Sequence, residues 1–233
     1  MLNAQFFTDT GQHREKNEDA GGIFYNQTQQ QMLVLCDGMG GHQAGEIASQ
    51  FVTYELQKRF EEENLIEINR AESWLRSNIK EINFQLYNYA QENEEYRGMG
   101  TTLVCAIIYD KQVVVANVGD SRAYVINQRQ MDQITSDHSF VNHLVMTGQI
   151  TKVMGTDKRV SPDLFIKRTH FYDYLLLNSD GLTDYVRDYE IQELLSSNSS
   201  LDVHGNELLD LALAHDSKDN VSFILLKLEG DKV

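Results

Sequence analysis

The sequence predicts an α+β fold with helices packed outside two antiparallel sheets, and three observations carry that expectation. Short runs dense in apolar and β-branched residues recur along the chain. Two of them, 101–109 and 112–118, are separated only by Asp110-Lys111. A two-residue connection closes an antiparallel hairpin and is far too short for a parallel crossover. Between the strand blocks lie long stretches with apolar residues at helical spacing, so helix pairs alternate with groups of strands.

The elements follow in order. Strands are expected at 32–36, 101–109, 112–118, 122–127, 175–178 and 221–228, each short and rich in β-branched or large apolar residues. A helix over 44–60 carries Ile47, Phe51, Tyr54, Leu56 and Phe60, and one over 71–89 carries Leu75, Ile79, Ile82 and Leu86, with polar residues filling the opposite faces. Shorter helices are expected at 188–196 and 206–215, joined by the polar loop Ser196-Ser197-Asn198-Ser199-Ser200. No internal repeat and no linker interrupts the pattern, and 233 residues can close a single core, so residues 1–233 read as one domain.

Composition narrows the function. A hydrophobic share of 41% and a charged share of 24% suit a globular chain. No apolar run approaches the roughly 20 residues that span a bilayer, and Met1-Leu2-Asn3-Ala4-Gln5 is no secretory leader, so a cytoplasmic location is expected. The net charge of −15 without any Lys/Arg block excludes a nucleic-acid surface. Cys36 and Cys105 lie in strand-like runs, where two thiols are packing groups rather than a disulfide or a nucleophile.

The chemistry is carried by aspartates set beside glycines and strand-like runs: Asp37-Gly38-Met39-Gly40-Gly41, Gly119-Asp120-Ser121, Ser179-Asp180-Gly181 and Asp219-Asn220. Gathered at one end of a core, such acids form a cage for hard divalent cations, because carboxylate and carbonyl oxygens suit Mg²⁺ and Mn²⁺. Two such ions about 3.5–4 Å apart can clamp a phosphoryl group and ionise a water to attack it. Asp37 could bridge two metals while the Gly38 carbonyl binds one; the same residues also read as a Gly-rich strand-to-helix turn with Asp37 as its cap. In Arg14-Glu15-Lys16-Asn17-Glu18-Asp19 a guanidinium precedes two acids. Its planar fork suits a phosphate dianion, although the segment alone also reads as a charged loop.

The ordered set Arg14-x-x-Asn17-Glu18-Asp19, Asp37-Gly38-Met39-Gly40-Gly41-His42, Gly100-Thr101-Thr102, Gly119-Asp120-Ser121-Arg122, Asp137-His138-Ser139, Ser179-Asp180-Gly181-Leu182 and Asp219-Asn220 resembles the metal-dependent protein phosphatase family, type 2C. It most resembles the bacterial branch that opposes Ser/Thr kinases, over about residues 6–228. The resemblance implies a four-layer α/β/β/α sandwich and a binuclear Mn²⁺ or Mg²⁺ centre. Asp37 would bridge the ions, the Gly38 carbonyl would complete the first site, and Asp180 and Asp219 would bind the second. Glu18 and Asp19 would hold metal-bound waters or ligate directly, Arg14 would grip the substrate phosphate, and Asp120 with Asp180 would take a third, weaker ion. A metal-bridging water would attack phosphorus in line, with no phosphoenzyme. Phosphorylated proteins and a cognate Ser/Thr kinase are the implied partners, and a monomer is expected.

Two departures from the family pattern stand out. Met39 occupies the position where some members carry a His proposed as general acid; His42 is a substitute candidate that could equally buttress the following helix, while His138 is expected to order its loop. The flap around 140–160 is shortened, since Gly148-Gln149-Ile150-Thr151-Lys152-Val153-Met154-Gly155 runs straight on. That puts substrate selection and the third metal in question more than the first two metals. The competing functions are a phosphatase-fold regulator without catalysis, which predicts broken ligands that the sequence does not show, and a hydrolase of small phosphorylated metabolites.

Overall fold

A computed structural model describes residues 3–40, 44–142 and 145–228, with the backbone alone for 140–142 and 145–149. The first part of the chain forms β1 (Ala4–Asp9), β2 (Asp19–Tyr25), β3 (Gln31–Met39), α1 (Ala44–Glu61) and α2 (Ile68–Glu92). The middle adds β4 (Gly100–Thr101), β5 (Leu103–Ile108), β6 (Gln112–Val118), β7 (Arg122–Ile126), β8 (Met131–Gln133), β9 (Ser139–Asn142) and β10 (Val145–Ile150). The rest comprises β11 (Asp163–Arg168), β12 (Tyr174–Asn178), α3 (Asp180–Thr183), α4 (Asp188–Leu195), α5 (Leu201–Ala214) and β13 (Val221–Lys227).

Two antiparallel sheets form the sandwich, ordered β1-β13-β12-β7-β8 and β11-β6-β5-β3-β2, with β4 pairing on β3. The expected hairpin joins β5 to β6, with Ile108 opposite Val113 and the Tyr109 N–H donating to the Gln112 carbonyl at 3.0 Å. Strands buried on both faces read as unbroken apolar runs, and their alternate residues enter different layers. Met32, Val34 and Cys36 of β3 pack with α1 and α2, whereas Leu33 and Leu35 face the other sheet. On that sheet Leu175, Leu177, Ile224 and Leu226 point inward to meet them, and Leu176, Phe223 and Leu225 pack outward on α3, α4 and α5. The result is the expected α/β/β/α stack.

Several boundaries moved for physical reasons. The buried face of α1 is Ala44, Ala48, Val52, Leu56 and Phe60, while Tyr54 is exposed. Small residues bring this helix close to the sheet, so the larger side chains at Ile47 and Phe51 sit at the flank. Residue Ser200, read as the end of a polar loop, is the N-cap of α5, its Oγ accepting from the Val203 N–H, so that helix starts earlier than expected. Not expected were β1, β2, β8 and β11, all edge strands: β2 contains Gly21-Gly22, and these strands are only partly buried, so none reads as a fully apolar run. Within the segment read as a shortened flap, β9 and β10 pair as a two-stranded antiparallel sheet. Both cysteines are free and fully buried. Among the described residues, no helix is long and apolar enough to cross a membrane.

Phe223 is fully buried and stacks on Phe7 with ring centroids 5.1 Å apart, joining β1 to the centre of its sheet. Phe223→Ala is expected to lower unfolding stability by about 3–5 kcal/mol in a denaturant titration. Phe84→Ala, at an exposed position, is expected to change it by less than about 0.5 kcal/mol.

Candidate active site

Strand periodicity places the first acid. In β3 the inward row Leu33–Leu35 continues to Asp37, so this carboxylate stands at the end of the layer between the sheets. Asp37 therefore lies within the strand and does not cap the following helix. In β2 the same face carries Ile23 and then Asp19, which is registered directly opposite Asp37. Like charges directly opposite one another destabilise a sheet. On the facing sheet the inward rows of β12 and β13 end in Ser179 and Ser222. The Ser179 hydroxyl donates to Asp19 Oδ2 at 3.0 Å and accepts from the Ser222 N–H at 3.2 Å. One end of an apolar sandwich core thus becomes polar simply by continuing its alternation.

The Asp37 backbone is held on both sides. Thr101 Oγ1 and the Thr102 N–H each donate to the Asp37 carbonyl at 2.8 Å, and the Asp37 N–H donates to Thr102 Oγ1 at 2.9 Å. Thr102 Oγ1 also shares a hydrogen bond of 2.7 Å with Ser121 Oγ, which ties the Gly119-Asp120-Ser121 connection to the same point. That connection runs from β6 in one sheet to β7 in the other and carries Asp120 across the end of the sandwich. Gly38 is required by close approach: a Cβ there would lie 2.2 Å from the Gly45 carbonyl oxygen and 2.5 Å from that of Glu18.

The remaining acids come from the facing sheet, that of β12 and β13. Asp180 opens α3, and the next residue, Gly181, lets that turn lie against the Asp219-Asn220 loop, since a Cβ would sit 1.9 Å from the Asn220 carbonyl oxygen. Asn220 then secures the Arg14 loop. Its Nδ2 donates to the Thr10 and Lys16 carbonyls at 2.8 and 2.9 Å, and its Oδ1 accepts from the Glu18 N–H at 2.9 Å. Arg14 Nη2 donates to Asp219 Oδ2 at 2.7 Å and Nε to the Lys218 carbonyl at 3.2 Å. An open cleft of about 770 Å³ borders this loop, lined by Arg14, Glu15, Lys16, Glu18, Gly40, Glu95 and Tyr96.

Burial and mutual repulsion push these acids toward their neutral forms. Asp180 rises to about 7, first from burial and then from Asp120 and Asp219. Asp120 and Asp19 rise to about 6, again chiefly from burial. Asp37 is raised well above the usual carboxylate range by burial and by Asp19, Asp180, Asp219 and Asp120 together, and Glu18 is raised chiefly by burial. Asp120 Oδ1 and Asp180 Oδ1 are buried without a hydrogen-bond partner. Orphaned buried carboxylate oxygens facing like charges fit hard-cation ligands. Among the described residues, no three His, Cys, Asp or Glu side chains converge closely enough to hold an ion unaided.

Comparison with known proteins decides the family. The protein phosphatase 2C model matches residues 11–212. The chain belongs to the protein phosphatase 2C family. It is 38% identical to the serine/threonine phosphatase stp of Listeria welshimeri over 241 aligned residues, covering 97% of this chain and 96% of that one. It is 71% identical to the serine/threonine phosphatase Stp1 of Staphylococcus aureus, whose crystal structure superposes with a TM-score of 0.93 over 99% of this chain and 96% of that one. The catalytic domain of the serine threonine protein phosphatase PstP in complex with two manganese ions is 30% identical, with a TM-score of 0.82 over 97% of each chain.

Within this 2C fold, Asp37, Gly38, Asp120, Asp180, Asp219, Glu18, Asp19 and Arg14 all come to one end of the sandwich. His42 lies outside the described residues. His138 orders its loop as expected, with Nδ1 accepting from the Gly119 N–H at 2.9 Å and Nε2 facing Asp163 Oδ2 at 3.1 Å. Not foreseen is Asp184, whose pKa is raised mainly by burial and which lies one turn beyond Asp180; its spacing of four from Asp180 was the available signal. The positioning roles of Thr102, Ser121, Ser179, Ser222 and Asn220 also went unread, because each depends on a partner distant in sequence.

Two outcomes follow for the phosphatase. The raised acids start from an ordinary value of 3.8. The stability they contribute is present below about pH 4 and is lost as pH climbs through their folded values near 6 and 7. The melting temperature of EDTA-treated protein is therefore expected to fall between pH 5 and 8, more steeply than in Asp180→Asn, and added Mn²⁺ should restore it. Thr102→Val keeps the side-chain volume but strips partners from the Asp37 N–H and Ser121 Oγ; a loss of about 1–3 kcal/mol is expected in unfolding, with weaker Mn²⁺ binding by calorimetry.

Proposed function

We propose that this chain is a Mn²⁺- or Mg²⁺-dependent serine/threonine protein phosphatase that hydrolyses phosphoserine and phosphothreonine and opposes a Ser/Thr kinase. The observation that carries this reading is the ring of buried, mutually repelling acids with orphaned oxygens on Asp120 and Asp180. Asp37, the Gly38 carbonyl, Asp180 and Asp219 would hold two ions, Glu18 and Asp19 their waters, and Asp120 with Asp180 a third. Such ions supply a water that is nucleophilic near neutral pH and neutralise phosphate charge. The PstP complex with two manganese ions supports the two-metal part.

The chain's own groups set the rest. Thr101 and Thr102 fix the Asp37 backbone, and the paired serines orient Asp19. Among the described residues Arg14 donates through Nε to Lys218 and through Nη2 to Asp219, which leaves further N–H groups of its fork to meet a phosphate oxygen. A cation drawing on Asp219 would loosen that ion pair and free more of the fork. The cleft beside Arg14 has exposed walls in Glu15, Lys16 and Glu95, which suits a segment of a protein surface better than a closed pocket for a small metabolite. A single catalytic domain, monomeric and cytoplasmic, is the simplest assembly for this role.

The test is phosphate release from a phosphothreonine peptide across a Mn²⁺ titration. Saturable, EDTA-sensitive turnover that vanishes in Asp37→Ala is expected, and absence of turnover at every metal level would refute the enzyme. Arg14→Ala is expected to lower kcat/KM about tenfold to a hundredfold, with partial recovery in Arg14→Lys.

A further inference from the structure

Away from the acid ring lies a pocket of opposite sign. It measures about 460 Å³, sits between α2 and the 158–161 segment, and is lined by Lys80, Phe84, Lys158, Arg159, Val160 and Ser161. Lys80 and Phe84 are four residues apart on α2 and share a face. Lys158 Nζ stands over the Phe84 ring, 5.6 Å from its centroid, an arrangement that steadies a cation. Among the described residues no carboxylate pairs with Lys80, Lys158 or Arg159. Three uncompensated cations around a partly exposed ring and a buried valine are unusual on a chain of net charge −15.

The wall is built rather than incidental. Asn83, fully buried, donates Nδ2 to the Asp157 carbonyl at 2.9 Å and accepts from the Gly155 N–H at 2.9 Å. One side-chain amide thus clamps the loop to α2, immediately beside Phe84 and Lys158. The Met154 backbone in turn pairs with Thr101 in both directions, at 3.1 and 2.9 Å. The pocket is therefore held ready-made, and little ordering would oppose binding.

We propose that this pocket docks an acidic segment of the phosphoprotein substrate, distinct from the phosphorylated residue in the catalytic cleft. The proposal rests on the phosphatase reading for the identity of its ligand. An apolar side chain lies on Phe84 and Val160, and flanking carboxylates meet Lys80, Lys158 and Arg159. A short acidic segment satisfies the patch, while a long polyanion or an anionic bilayer would meet the acidic body around it, within the roughly 8 Å over which charge is felt at physiological salt.

Two phosphothreonine peptides test it, each joined through about 20 Gly/Ser residues, spanning roughly 25 Å, to a tail of Glu and Leu or of Gln and Leu. The Glu tail is expected to lower KM at least about tenfold with kcat unchanged, a difference of about 1.4 kcal/mol. That advantage should vanish in Lys80→Glu/Lys158→Glu and in 0.5 M salt, and shrink in Phe84→Ala, while turnover of p-nitrophenyl phosphate stays constant. Fluorescence anisotropy of the labelled free Glu/Leu tail reads docking independently of turnover, so loss of the enzyme reading and loss of the docking site are separable. Equal KM for both peptides, equal binding of the tail by the double variant, or binding of phosphatidylserine vesicles without binding of the tail would overturn the proposal.

Discussion

The constraint on which the rest of the structure depends is electrostatic: several carboxylates are collected at the end of an apolar inter-sheet core, where burial and mutual repulsion disfavour their charged forms. Asp19 and Asp37 face each other across a strand pair, and Asp180 lies close enough to Asp120 and Asp219 to feel both. No arrangement of apolar contacts would choose this geometry. It persists because hydrogen bonds fix where these groups sit, to the backbone of Asp37 through Thr101 and Thr102, to the carboxylate of Asp19 through Ser179, and to the backbone of the Arg14 loop through Asn220. Polar contacts of this kind hold groups in place without cancelling their charge, which leaves that charge to be met by cations.

The sandwich supplies the acids economically because both sheets terminate at the same end. Leu33, Leu35 and Asp37 form one inward row; Ile224, Ser222 and Asn220 form another. The period-two alternation that fills the core with leucine and isoleucine therefore turns polar at the end of each row. Connections at the strand ends complete the ring. The β6–β7 link brings Asp120, and the start of α3 brings Asp180. The glycines in these motifs serve close packing: Gly38 and Gly181 admit neighbouring carbonyl oxygens where any Cβ would collide.

Much of this was legible in the sequence. Central strands such as 112–118 and 221–228 are buried on both faces and read as continuous apolar runs, and the ordered aspartate motifs identified the acids that the fold assembles. Less legible was whatever derives its meaning from a distant partner. Asn220 resembles a simple turn residue until the fold brings Thr10, Lys16 and Glu18 to it, and Thr102 resembles any strand threonine until Asp37 and Ser121 arrive. Edge strands β1 and β2 were missed for a related reason, since their residues are only half-buried and Gly21-Gly22 lowers strand propensity in β2. Asp184 was readable in principle, one helical turn from Asp180, but its environment required the turn to be built.

The hydrogen-bonded path from Asn83 through Gly155 and Met154 to Thr101 and Asp37 invites a comparison with allosteric wiring. Its geometry favours a static role. Each link is a short hydrogen bond inside a packed region: Asn83, Met154 and Thr101 are fully buried, and a Cβ on Gly155 would lie 2.7 Å from Leu86 and 3.2 Å from the Met99 carbonyl oxygen. Transmission between sites requires an element with two arrangements whose balance each site can shift. A path saturated with bonds and closely packed has one. Its effect is to make the basic pocket and the acid ring parts of the same rigid frame, so a ligand held at one end would act on the other through effective concentration alone.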